Sequence, residues 1–570
     1  MSIFAETMKS CHQMKKIGLL WAVCLAVSVS AAGAVVHEVS VARFGAVPND
    51  GQNDAQALRE AAEYCRQHAG TTLVMPPGVY NFRDEEAAKI EREAIDGTLG
   101  NGLEVQRKLF QPQKPYVKGL DFTGSRDLTI RAAGAVLQVE GWMEVLSFVR
   151  ARNVLLDGLT ITYKRPAATE ARVVATAADS FDLEYDTELY KYIDRVVQGR
   201  TYFYSTQRGI FYMGGADRMV LLKPGLIRMY SKSHPALNDY CIIRYGGHYR
   251  PCIMLKESKN MTVRNVSILS FPGMGIVGHL TENILVDGLK VVPEPGHFSS
   301  TNTDATHFTS CSGTLTIENS KFKGNGDDCT NIHNYYYAIY PQKDSERKAE
   351  IRIENADLHA QSLDYPCKGD TMVVLNRDNI AEQGRYVVTA VDTSTAKWEV
   401  VVTLNRPLKL EKPEDYYMTN LTRFPKVRIL NNTVYYHNGR AFLLKARDVV
   451  VRGNTVMNTT MTAIKLGAEM SWHEAGPVDH AVIENNYISG CNTNDTEGPS
   501  CVMVGIEAPG TPPRLNRNIL IRNNIFDTNC RTAILLRDAE HVVVKDNVIN
   551  RRDYVKEINC RDVSISDLHR

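Results

Sequence analysis

The sequence predicts an all-β chain: a right-handed parallel β-helix with an N-terminal capping helix and two small inserted β-barrel-like modules. Three observations lead there. A motif of two short β-branched runs around Asn or Gly recurs along the chain, as in "NMTVRNVSI", "NILVDGLKV", "TLTIENSKF", "EIRIENADL", "KVRILNNTV", "NILIRNNIF" and "HVVVKDNVI". Its spacing is 23 residues from Asn265 to Gly288, 22 from Asn432 to Asn454 and 23 from Asn524 to Asn547. That is too long for a hairpin, holds no helical pattern, and suits one coil of a stacked solenoid. Two intervals, 165 to 249 and 367 to 416, break the period and read instead as alternating strands separated by turn residues.

The elements follow in order. "MKKIGLLWAVCLAVSVSAAGA" has a basic start at Lys15 and Lys16, an apolar stretch from Ile17 to Val29, and small residues to Ala34. It predicts an export signal over residues 1–34 with Met14 as the true start, and hence a periplasmic, secreted or cell-surface protein. Residues 35–164 hold the cap and the first coils. Ala57, Leu58, Ala61, Ala62 and Cys65 recur at helical spacing behind Asp54 as N-cap, and this helix would cover the open end of the solenoid. An inserted module at 165–249 precedes central coils at 250–366, a second module occupies 367–416, and coils fill 417–570. The recurring asparagines are expected to stack inside the turns as structure, and the inserts to wall one end of a cleft. Of the 12 cysteines, Cys491 and Cys501 form the most plausible local pair, although buried filler is the favoured reading. With 66 basic against 65 acidic residues, the charge balance gives no reason for a nucleic-acid partner. The exposed modules offer surfaces for a homo-oligomer.

"NTDATHF" at 302–308 and "GNGDDC" at 324–329 place Asp304 one coil from Asp327 and Asp328, at offsets of 23 and 24 residues. Adjacent rungs lie about 4.8 Å apart, so the three carboxyls repel and at least one should hold a proton longer than usual. A bulge at Gly324 and Gly326 would turn Asp327 and Asp328 to the same side. A protonated carboxyl beside an ionised one is what glycosidic cleavage requires. Structural aspartates or a calcium site are the competing readings. Asn302, His307, His333, Asp364 and Lys368 are candidate substrate-binding residues, with Trp472 in "GAEMSWHEAG" placed to stack on a sugar face.

The "NTD" and "GDDC" motifs resemble two motifs of the polygalacturonases, β-helix glycosidases that invert configuration. Their Gly-His-Gly motif is not evident here, and "FLLKARD" presents Lys445 and Arg447 in the order opposite to their Arg-Ile-Lys. Over nearly the whole mature chain the sequence is similar to the exo-α-1,3-galactosidases of glycoside hydrolase family 110, which act on terminal galactose of blood group B and linear α-galactose glycans. The resemblance implies an inverting mechanism without metal or organic cofactor, with Asp327 as general acid and Asp304 and Asp328 holding and deprotonating the attacking water. The competing functions are a polygalacturonase-like hydrolase or lyase on uronic polymers and, outside enzymes, a β-helix glycan-binding surface protein.

Overall fold

The computed structural model describes residues 37–100, 117–190, 200–244, 251–354, 365–394, 399–492, 500–528, 530, 532–550 and 554–566. The expected leader lies outside these residues, as does Asp364. Among the described residues, three sheets of 13, 12 and 11 strands run along the coils, most coils contributing one strand to each. The twelfth strand of the second sheet, Glu474–Ala475, is an antiparallel addition outside the coil path. Pairing between coils is parallel and in register. Met261 stacks on Ile284, then on Leu315, Val427 and Val449, all of them buried. Burying each such Val, Leu or Ile contributes about 1.5–3 kcal/mol, so alternate positions of the β-branched runs make one continuous core.

Among the described residues the asparagines stack in two places: an exposed row in the earlier coils, where Asn283 donates to Asn260 and Asn260 to Asn153, and a buried ladder in the C-terminal half. Asn432, Asn454, Asn486 and Asn524 each pass a side-chain N–H to the next Oδ1 at 2.9–3.0 Å, and the ladder ends at Asn547. One coil earlier the equivalent buried position is Ser320, whose amide donates to Asn432 and whose hydroxyl accepts from the Leu289 amide, and before it the position is apolar at Leu289. Asn265 lies outside the ladder, in a left-handed turn with φ 53°, and donates to Asp157.

The capping helix Ala55–Gln67 buries Leu58, Ala61, Ala62 and Cys65 as expected. Asp54 does not cap it with its side chain. Its carboxylate accepts instead from the Val47 and Asn81 amides, and Asn53 accepts from Ala55. A second helix, Glu85–Ile95, was not expected; the Asp84 carboxylate caps it by accepting from the Ala87 amide.

The first insert is a seven-stranded antiparallel sheet, from Ala168–Thr176 to Tyr240–Arg244, rather than a barrel. The second is a closed barrel of six strands that begins at Tyr337–Pro341, thirty residues before the expected boundary of 367. Its second strand, Lys348–Arg352, takes in the start of "EIRIENADL", which is therefore barrel and not coil. That run has the β-branched pattern of a coil, but Ile351 packs in the barrel core with Ile339, Val400 and Met418. Cys491 and Cys501 are buried thiols and are not bridged.

Candidate active site

The site lies on the 12-stranded sheet where four consecutive coils meet. The Ala305 amide donates to the Asp328 carbonyl at 3.0 Å, and the Cys329 amide to the Arg440 carbonyl at 2.9 Å. This stacks Asp304, Asp328 and Arg440 on successive rungs. Asp327 and Asp328 occupy the corner between the strands Lys321–Lys323 and Thr330–Tyr335, not a bulge within a strand. Gly439, with φ 102°, closes over that corner; a Cβ there would meet the Asp327 carbonyl carbon at 2.6 Å.

Asp304, His307, Asp327, Asp328, Asn331, Arg440, Leu443, Met461, Glu469, Trp472 and Glu474 line one cavity of about 150 Å³. The three aspartates therefore converge, as the coil offset predicts. His307 and Trp472 also reach the cavity. His333 and Asn302 lie behind it: His333 Nε2 is 2.8 Å from His307 Nε2, and the Asn302 carbonyl accepts from Arg244 at 2.9 Å. Lys368 is exposed in the segment leading to the barrel strand Thr371–Asn376 and does not line the cavity.

Neither insert contributes a lining residue among those described. They brace the site from behind. Arg244, at the end of the first module, donates to the carbonyls of Asn302 and Gly326, next to Asp327. On the other side Glu469 and Glu474 close a small hairpin around the 3-10 turn Met470–Trp472. Its second limb pairs antiparallel with the strand Thr330–Tyr335, while Tyr417 of the barrel packs edge-on against His473.

Behind the carboxyls is a network that the sequence reading missed. Arg440 bridges Asp328 at 3.1 Å and Glu469 at 3.0 Å. Lys445 is fully buried between Glu469 and Glu474, and Lys465 reaches Glu469 at 2.5 Å. Burial works against the Lys445 ammonium, but Glu474 and Glu469 outweigh it and hold it above its ordinary value. Burial also opposes the Glu469 carboxylate, yet Arg440, Lys445 and Lys465 keep it well below the usual range. Burial raises Asp304, with the charges of Asp327 and Glu474 adding to it. Asp328 is pushed up by burial too, against the pull of Arg440. Arg447, the other basic residue of "FLLKARD", lies in a different groove, with its guanidinium over Phe424.

His307, His333 and Glu474 are the described side chains that come near enough together to share a metal ion. Their donor atoms are already committed: His307 to Asp304 and His333, His333 to the Asn334 carbonyl, and Glu474 to Lys445 and Asn331.

A profile described as glycosyl hydrolases family 28 matches residues 239–344, the stretch that holds all three aspartates, and one described as right handed beta helix region matches 417–564. Alpha-1,3-galactosidase A of Bacteroides thetaiotaomicron is 24% identical over 91% of this chain and 94% of its own length. The chain resembles such galactosidases almost end to end. Alpha-1,3-galactosidase A of Bacteroides fragilis is 26% identical over 95% of this chain and 92% of its own. Among solved structures, the A-module of a mannuronan C-5 epimerase from Azotobacter vinelandii aligns over 93% of this chain and 98% of its own, at 10% identity and a TM-score of 0.39.

Proposed function

We propose that this chain is an exo-acting, inverting glycoside hydrolase that removes terminal α-1,3-linked galactose from glycans. The observation that carries the reading is the convergence of Asp304, Asp327 and Asp328 on one small cavity with Trp472 at its wall. Asp327, the half-buried carboxyl of the three, protonates the leaving oxygen. Asp304 and Asp328, on neighbouring rungs, hold the attacking water on the opposite face of the sugar, and inversion follows from attack on that face. A volume of about 150 Å³ is below the ~300 Å³ at which pockets for larger ligands begin, which supports the capture of one terminal sugar rather than the threading of a polymer. The substrate class rests on the similarity to the curated galactosidases, and blood group B and linear α-1,3-galactosyl glycans are the substrates to test.

The match to the family 28 profile favours a second reading, a hydrolase of uronic polymers. Its weakness is electrostatic. The cations at this cavity are already neutralised, Arg440 by Asp328 and Glu469, and Lys445 by Glu469 and Glu474, so a uronate carboxylate would have to displace a protein one. Incubation with an α-1,3-galactosyl oligosaccharide and with oligogalacturonate decides between them. Free galactose from the first and nothing from the second is the expected result; the opposite pattern transfers the chain to the uronic class.

A further inference from the structure

Asp304, His307 and His333 lie in a hydrogen-bonded row whose proton positions follow from its far end. The Asn334 carbonyl, 2.7 Å from His333 Nδ1, can only accept, so Nδ1 carries a proton. The next contact joins His333 Nε2 and His307 Nε2 at 2.8 Å and needs one proton between two nitrogens. With neutral rings it belongs to His307, whose Nδ1 is then a bare acceptor. Asp304 Oδ2 lies 2.6 Å from that Nδ1 and must donate. Three hydrogen bonds thus take three protons, two from the neutral imidazoles and the third from the Asp304 carboxyl.

We propose that this row holds Asp304 as a neutral carboxyl, so that Asp304 positions the attacking water through its other oxygen while Asp328 alone takes the water's proton. The inference rests on the hydrolase reading above and divides the work of two residues that the reading treats alike. His307 and His333 are positioning residues, acting through Asp304.

The alternative charge states would place an imidazolium in the row. The charged groups facing it are Asp327, Glu474, Glu469, Arg440 and Lys445. Glu474 and Asp327 favour an imidazolium on His307, but burial, joined by Lys445, pushes it down to about 4. His333 is held well below its ordinary value by burial, His307 and Lys445. Its approach to Glu474, 3.6 Å, is too long for a hydrogen bond. Asp328 differs from Asp304 in its contacts. It accepts from the Arg440 amide at 2.8 Å and from the guanidinium at 3.1 Å, and each contact brings it a donor. Donors on both oxygens favour the anion and oppose the rise that burial gives it, and a carboxylate with a raised proton affinity is suited to take the water's proton. In the reaction the water oxygen bonds to the anomeric carbon as its proton passes to Asp328. The glycosidic bond breaks as Asp327 gives its proton to the leaving oxygen. Solvent then returns Asp328 to the anion and Asp327 to the acid, and the row ends as it began.

An asparagine copies a neutral carboxyl that donates on one side and accepts on the other. Asp304→Asn is therefore expected to lower kcat by about 10-fold, and Asp328→Asn by at least ~10²-fold, the usual worth of a general base. His307→Asn, which keeps an acceptor oxygen beside Asp304, should retain about 10-fold more kcat than His307→Leu, with KM nearly equal in the two, because the defect is in orientation. Equal or larger loss in Asp304→Asn than in Asp328→Asn overturns the proposal, as does activity that falls in EDTA and returns with zinc. A readout independent of activity is 15N-histidine NMR of the full chain, with the His307 signal assigned by its absence in His307→Asn. A neutral ring protonated at Nε2 is expected; an imidazolium, or a ring protonated at Nδ1, overturns the row. A wild-type chain inactive on α-galactosides would instead remove the proposed function, and the NMR result would still decide the row.

Discussion

Asp304 and Glu469 show what burial does to a carboxyl with and without cations beside it. Asp304 has its proton affinity raised by burial, while three cations keep Glu469 ionised. The two act on stability with opposite sign. The folded chain binds the Asp304 proton more tightly than the unfolded chain, whose aspartates titrate near about 3.9, so the contribution of this group is full below that value and declines as pH rises toward the folded one. Asp304→Asn removes the decline, and its melting temperature relative to wild type is expected to climb as pH rises above the unfolded value; a constant difference in thermal scans would contradict this. Glu469 contributes stability above the unfolded value of about 4.3 and loses it as pH falls. Its partner gives a second test. Lys445→Met leaves Glu469 and Glu474 short of a buried counter-charge, and should cost about 3–5 kcal/mol in denaturant unfolding. At this scale the sequence revealed the three aspartates, since one coil separates them. Arg440 was hidden: it is one rung from Asp328 in space but 112 residues away in the chain, because the barrel intervenes.

The coil is the element that positions everything else, and its turns are held by side chains as much as by the sheet ladders. Asn486 accepts from the Asn454 amide and donates to the Val451 carbonyl and Asn524 Oδ1. Asn486→Ala strands a buried backbone N–H and C=O, each worth about 1–3 kcal/mol, and a loss of at least about 2 kcal/mol is expected in denaturant titration. The first inserted sheet braces the site from behind through Arg244, with Glu170 and Tyr202 bonding to the neighbouring segment at 298–299. Arg244 ties the carbonyls of Asn302 and Gly326 together behind the corner that carries Asp327 and Asp328. Arg244→Met should lower kcat by about 10–10²-fold, in proportion to the displacement of Asp327, with a far-ultraviolet circular dichroism spectrum like wild type. An unchanged kcat would show that the corner holds without its brace.

For the whole molecule, the proposed reaction makes a stereochemical prediction that does not depend on the assignment of each aspartate. Attack by water on the face opposite the leaving group yields β-galactose first from an α-linked substrate. Proton NMR in the first minutes, before mutarotation, is expected to show it; early α-galactose would indicate a covalent intermediate. Galactose should also be the sole early product, because internal cutting needs an open groove. By itself the sequence determined the solenoid and the convergence of Asp304, Asp327 and Asp328, since a period of 22–23 residues is a local property and stacking follows from burying one face of each coil. It also showed that modules interrupt the coils, but "EIRIENADL" could not reveal that its strand belongs to a barrel, because both folds bury alternate β-branched residues. Only the tertiary structure decided which charges meet. Arg440, Lys445, Glu469 and Glu474 come together across coils and one inserted barrel, and the proton on Asp304 depends on a carbonyl, Asn334, two imidazoles away. Hydrogen-bond direction and burial are properties of assembled neighbours, and no spacing in one chain records them.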